Sequence, residues 1–159
     1  MRKYKRGEFL CALGQVEKGL YLILKGAVRA FYFDGAEEQS IRFGYENSVI
    51  NSMKSFFDES PSEIEIQALR ETEVLVLPRE DYLAFISSSF EAMQAHIQVI
   101  NLLMLSMLER ETDLLITSPK ARYERVLARS PQLFQEIPLK YIASYLRMTP
   151  ETLSRLRKS

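Results

Sequence analysis

The stretch Leu139-Lys140-Tyr141-Ile142-Ala143-Ser144-Tyr145-Leu146-Arg147-Met148-Thr149-Pro150-Glu151-Thr152-Leu153-Ser154-Arg155-Leu156-Arg157-Lys158 carries the most specific signal in the chain. Its pattern predicts two short helices, Leu139 to Leu146 and Pro150 to Lys158, joined by Arg147-Met148-Thr149, which is the length of a helix-turn-helix turn. Ile142, Leu146, Met148, Leu153 and Leu156 fall where such a unit must be apolar to hold its helices together, and Ala143 is small where they cross. Thr149 is a good N-cap, and Pro150 suits the first helical position, where its missing N–H costs nothing. With Leu153 and Leu156 facing inward, the second helix turns Glu151, Ser154, Arg155 and Lys158 outward. Arginine there can donate twice to guanine O6 and N7, and glutamate can accept from a cytosine amino group. Thr149, Glu151, Thr152, Ser154, Arg155 and Lys158 are therefore the candidate DNA-binding residues. The competing reading of Glu151 and Arg155 is an ordinary surface ion pair at i, i+4. Arg147 stands where this turn usually has glycine, which predicts a mildly strained positive φ.

Charge is divided to match. The 159 residues have a net charge of zero, yet residues 119–159 carry nine Lys/Arg against three Glu, a net of +6, which leaves −6 for the rest. A basic segment fused to an acidic one points to a polyanion partner, because neutralising phosphates releases condensed counterions. A solvated charged surface is the alternative.

Upstream, short β-rich runs are expected at Tyr21 to Lys25, Val28 to Phe33, Gln39 to Phe43, Glu63 to Leu69 and Glu73 to Leu77. Gly26 marks one turn, and Asp34-Gly35 reads as the centre of a tight hairpin. Strands at this spacing predict a small sandwich or jelly roll, with no helix-length amphipathic period before residue 79. Arg79 to Ile86 is expected as a short helix, and a long helix as running from about Ser89 to Ile116. In the long helix Met93, Ile97, Ile100, Met104 and Met107 follow a 4-3-4-3 spacing, the seam of a helix pair, and they are the expected dimer interface. Val99, Leu102, Leu103, Leu105 and Leu108 widen the apolar surface, so one face is assigned to the chain's own β domain and another to a partner helix. Ser118-Pro119 should end the helix. The expected division is 1–88 for a β-roll sensor, 89–118 for the dimerisation helix and 119–159 for the helix-turn-helix.

The run Ile142 to Leu156 resembles the helix-turn-helix of the cyclic-AMP receptor protein and fumarate–nitrate regulator family, and the order of β-roll, long helix and proline break is similar over nearly the whole chain. Glu151, Ser154 and Arg155 match the Glu-x-x-Ser-Arg pattern of the fumarate–nitrate branch. Pro150 replaces an arginine of the cyclic-AMP branch, so one guanine contact of that branch should be missing. The resemblance implies an α+β fold: an N-terminal double-stranded β-helix (jelly-roll, cyclic-nucleotide-binding-like) barrel, a dimer helix and a helix-turn-helix lacking most of its wing. It also implies a homodimeric transcription regulator that binds palindromic double-stranded DNA and contacts RNA polymerase. The chain stops at Ser159 before a wing, and it lacks the helix and strand that usually precede the segment around Lys3-Tyr4-Lys5.

The family's nucleotide cassette is degenerate here. Counting back from Thr72-Glu73-Val74, its ribose-binding Gly-Glu pair falls on Asn51-Ser52 and its phosphate-binding Arg-Ser/Thr-Ala run on Ser62-Glu63-Ile64. Ser62 cannot supply a charged bidentate contact, and Glu63 brings a like charge to the anion, so cyclic nucleotides are not expected to bind. The barrel is left with either an apolar ligand, lined partly by the dimer helix, or nothing, and the effector is not legible. Cys11 stands alone, which excludes an internal disulfide and the branch's iron–sulfur cluster. One cysteine and one histidine are too few for structural zinc. Haem could reach only His96 or Cys11, and a lone histidine on a long helix is more often a packing or surface residue, so no cofactor is expected. A metal-dependent cupin enzyme would need several His/Glu ligands, and no enzyme is expected. A regulatory module acting through protein contacts, with DNA binding lost, is the remaining alternative. The apolar run Ile97 to Leu108 is too short for a bilayer, and no leader opens the chain, so the expected location is cytoplasmic with no membrane partner.

Overall fold

The computed structural model describes residues 1–158. In chain order the elements are β1 (Arg2–Tyr4), β2 (Phe9–Cys11), β3 (Gly19–Lys25), β4 (Ala27–Asp34), β5 (Glu37–Tyr45), β6 (Val49–Ile50), α1 (Met53–Asp58), β7 (Glu65–Ala68), β8 (Thr72–Pro78), α2 (Arg79–Ile86), α3 (Phe90–Leu115), α4 (Pro119–Arg129), α5 (Leu133–Glu136), α6 (Leu139–Tyr145) and α7 (Pro150–Leu156). The strands form two four-stranded sheets, ordered β1-β8-β3-β6 and β2-β7-β4-β5, with every neighbouring pair antiparallel. Between them lie Leu10, Tyr21, Ile23, Val28, Ala30, Ile50, Ile66 and Val74.

Strand patterning explains this sandwich. On β3, Gly19, Tyr21 and Ile23 are buried while Leu20 and Leu22 are half-buried, the period-2 alternation of a strand with one face on a core. β4 differs, because Ala27 through Phe31 are all buried. Val28 and Ala30 enter the sandwich core, while Ala27 belongs to a second apolar cluster with Val126, Leu133, Ile137, Ile142, Ala143, Leu146 and Leu153 of the C-terminal helices. One cluster thus crosses the expected boundary at Ser118, and the C-terminal helices meet the outer face of the second sheet chiefly through α6 on β5.

Several local expectations need correction. The tight hairpin is centred on Gly35-Ala36, since Asp34 pairs with Glu37 across it. Only Gly35 has positive φ, at 62°, which is the II′ pattern with one left-handed residue where two were expected. Glu63 and Ile64 precede β7 and are not part of a strand. The two C-terminal helices end at Tyr145 and Leu156, short of Leu146 and Lys158. Arg79–Ile86 falls where expected, and α3 lies within one residue of its expected bounds, starting after Ser89, whose side chain accepts from Ala92 N at 3.1 Å.

Candidate nucleic-acid interface

α6 and α7 are held by apolar side chains from the unit's inner side. Ile142, Ala143, Leu146 and Leu153 have no measurable exposure, and Met148 and Leu156 are half-buried. Arg147 takes φ 53°, and its Nη1 donates to Gln39 Oε1 at 2.7 Å, so the strained turn residue is tied to β5. Thr149 caps α7 by accepting from Thr152 N at 3.2 Å, with the two threonine hydroxyls 3.1 Å apart. This gives Thr149 and Thr152 a structural role at the head of the helix. Glu151, Ser154, Arg155 and Lys158 share one shallow, solvent-open face with Pro150. Among the described residues Glu151 and Arg155 have no ion-pair partner, so the i, i+4 pair is not formed. The negative charge of Glu151 lies in the first turn of α7, where the helix dipole favours it.

Much of the C-terminal basicity is used internally, which the charge count could not reveal. Arg125 binds Glu109 at 2.5 Å and Asp113 at 2.9 Å. Arg129 reaches the same carboxylates, at 3.1 Å to Glu109 and 3.0 Å to Asp113. Asp113 is buried at the end of α3, and its pairing with Arg129 pushes that guanidinium above its ordinary pKa. Arg122, also buried, donates to the carbonyls of Ile116 at 2.8 Å and Arg147 at 3.3 Å, bracing the α3–α4 bend and the α6–α7 turn together. Arg155, Arg157 and Lys158 are exposed cations at the far end of the unit.

The unit is clasped to β5 and β4. Ser144 Oγ accepts from Ser40 N at 3.0 Å and donates to Glu38 O at 3.2 Å. Arg29, buried on the outer face of β4, donates twice to Gln67 Oε1, at 3.1 and 2.8 Å, and pairs with Glu38 at 2.6 Å. The Tyr141 ring of α6 covers it at 4.2 Å. Arg70 binds the Glu136 carboxylate and its carbonyl. Nothing in the sequence pointed to this clasp except the unbroken apolar run of Ala27-Val28 and Ala30-Phe31 around Arg29, the mark of a strand covered on both faces.

The seam residues of α3 divide. Met93, Ile97, Met104 and Met107 are exposed, as are Val99, Leu102, Leu105 and Leu108, whereas Ile100 is half-buried against the roll. His96 Nδ1 lies 2.6 Å from Tyr82 Oη, and its ring packs edge-on to Phe57, as a packing residue does. At the cassette positions Ser62 Oγ donates to Ser52 Oγ at 2.8 Å and accepts from Ile64 N at 3.3 Å, both serines being buried. Asn51 is buried beside them, and Glu63 is exposed and paired with Lys54.

Residues 1–89 match the family profile described as the cyclic nucleotide-binding domain. Over 86 residues the chain is 34% identical to the cyclic AMP receptor protein of Thermus thermophilus. The chain belongs to the cyclic nucleotide-binding domain family. That match covers 54% of this chain and 39% of the relative, so the chain spans about two fifths of the length of the curated relative it matches. The crystal structure of the Thermus thermophilus catabolite activator protein aligns with 99% of this chain and 76% of its own at 27% identity and a TM-score of 0.59. FixK2 from Bradyrhizobium japonicum aligns with 99% of this chain and 81% of its own, at 16% identity and a TM-score of 0.80, a likeness of fold. Among the described residues of this cyclic nucleotide-binding domain protein no helix is long and apolar enough to cross a membrane.

Proposed function

We propose that this chain is a subunit of a homodimeric, sequence-specific DNA-binding transcription regulator that does not respond to cyclic nucleotides and is not an enzyme. Its α6–α7 unit is a helix-turn-helix with α7 as recognition helix, residues 1–88 are the sensor, 89–118 the dimerisation helix and 119–159 the DNA-binding segment. The observation that carries this reading is the open face of α7 that Glu151, Ser154, Arg155 and Lys158 share, with no ion pair to Glu151, Arg155 or Lys158 among the described residues. Dimerisation rests on the exposed apolar face of α3, far more than a lone soluble helix tolerates. The cassette supports the negative half of the reading: Ser62, at the position of the phosphate arginine, is bonded to Ser52, and Glu63 beside it is paired with Lys54. By resemblance, RNA polymerase is a further partner and the location is cytoplasmic.

The test is selection of bound sites from a random DNA library. An inverted repeat with half-site centres about 10 bp apart, or a multiple, is expected from a two-fold dimer. Arg155→Ala should cost roughly 1–3 kcal/mol per half-site and relax preference at one base, whereas Lys158→Ala should weaken all sequences alike and lower the salt slope by about one unit. An Arg155→Ala consensus identical to the parent's would make Arg155 a phosphate contact. The internal use of Arg122, Arg125 and Arg129 favours a second reading, a module acting through protein contacts, and selection of no sequence at all would establish it.

A further inference from the structure

We infer that Glu111 and Arg42 from two copies of this chain gather into one charge cluster at the C-terminal part of the α3 seam, which sets the two helices parallel and in register, an inference that rests on the dimer reading given above.

The spacing of the seam places Glu111 on it. Met93, Ile97, Ile100, Met104 and Met107 advance by alternate steps of four and three, and the next step of four is Glu111. Glu111 is exposed, as are Met107 and Met104 one and two turns before it, and all three line the opening between α3 and the β-roll. Arg42, half-buried, lines that opening from the other side. A local irregularity of β5 brings it there. Ala30 pairs with Arg42 and Phe31 with Ser40, which leaves Ile41 as the extra residue of a β-bulge, and a bulge re-aims side chains. Arg42 and Glu111 thus flank one opening, yet among the described residues neither has an ion-pair partner. Burial meanwhile pushes the Arg42 pKa down. The third charge of the lining, Arg110, is engaged elsewhere: it donates to Ser40 O at 3.4 Å, and its guanidinium lies 5.0 Å from the centre of the Tyr145 ring.

A seam of this pattern brings each position against its own copy when the helices run parallel. Parallel is also the arrangement that puts both α7 helices at one end, as an inverted repeat demands. Two Glu111 carboxylates then meet at the seam, and like charges so close repel unless a cation stands beside them. The Arg42 guanidiniums, one from each copy, are the unpaired cations at that point, so two positive and two negative charges close around the two-fold axis. In an antiparallel pair centred on Met104, Glu111 would instead face the apolar seam around Ile97 of the other copy, an unpaired charge in an apolar contact that disfavours this arrangement. The charged position thus marks the register of an otherwise apolar seam, at some cost in stability.

Energy transfer between copies labelled at the N-terminal amine with donor and acceptor dyes reads the dissociation constant of the dimer. Arg42→Gln should raise it about tenfold or more at low salt, with part of the loss recovered at high salt as the repulsion between the two carboxylates is screened. Adding Glu111→Gln to that variant should bring the constant back to within about threefold of the parent's. Glu111→Cys, a change at an exposed position, should cross-link two copies on mild oxidation, and Leu102→Cys, on the opposite side of α3, should not. A parent chain that stays monomeric would remove the dimer itself and the cluster with it. A parent dimer that Arg42→Gln does not weaken, that Glu111→Gln does not restore, or that Glu111→Cys does not cross-link would leave the dimer standing and overturn the cluster.

Discussion

Two residues show how strictly the fold constrains single side chains. Gly26, between β3 and β4, has φ 102°, and a Cβ there would stand 2.5 Å from Glu71 O and 2.7 Å from Thr72 Cα. Both neighbours are backbone and cannot step aside, so Gly26→Ala should cost roughly 1–3 kcal/mol through strain alone. At about 2–4 °C per kcal/mol for a chain of this size, calorimetry should read a clear fall in Tm. Cys11 is the second case. Burial pushes its thiol up, to about 12 from 9.0, and the buried Glu17 carboxylate adds to the effect. A raised pKa means the folded chain keeps a proton that the unfolded chain releases. The stability tied to this site is therefore complete below about pH 9 and is lost as the pH climbs towards 12. At pH 8 iodoacetamide should label Cys11 only as fast as the protein unfolds, and rapid labelling of the native chain would contradict its burial.

Elements were legible where they are long and regular. α3 announces itself by apolar spacing and by the Ser89 and Pro119 boundaries, and the α6–α7 unit by its turn and cap. β1, β2 and β6 are two or three residues long, too short for alternation to show, and α1 is six residues with polar neighbours. α4 hides because Arg122, Arg125 and Arg129 look like solvent residues, although all three are bonded within the protein. The bulge at Ile41 defeats periodicity outright: it turns Arg42 inward beside a run whose apolar neighbours read as the inward set. The seam of α3 is testable as an element. Ile100→Glu with Met104→Glu should place unpaired charges between partner helices and dissociate the dimer. Sedimentation showing an unchanged dimer would move the interface elsewhere. The α6 clasp is testable too. Tyr141→Ala uncovers Arg29 and removes a cation–π contact of the kind that contributes about 0.5–2 kcal/mol. Limited proteolysis should then cut the 116–119 bend faster while the dimer persists.

Over the whole molecule, β-roll and C-terminal unit are joined by a shared apolar cluster, and the division drawn at Ser118 from the proline break is a bend in the chain more than a gap in the packing. Cyclic AMP and cyclic GMP should not bind, since Asn51, Ser52, Ser62 and Glu63 hold the cassette positions. A micromolar dissociation constant for either by calorimetry would reverse that reading. The recognition proposed for α7 has a further dependence. A seven-residue helix does not hold itself together in water, and α7 buries little more than Leu153 to do so. Its shape is lent by α6 and the turn that follows, α6 being held by Ser40 and the covered Arg29 and the turn by Gln39 through Arg147. A genetic screen for lost operator binding should therefore return alleles in the β4–β5 hairpin, on residues that touch no nucleotide. Such alleles would be repaired by second-site changes in α6, leaving the bases read by Arg155 unaltered.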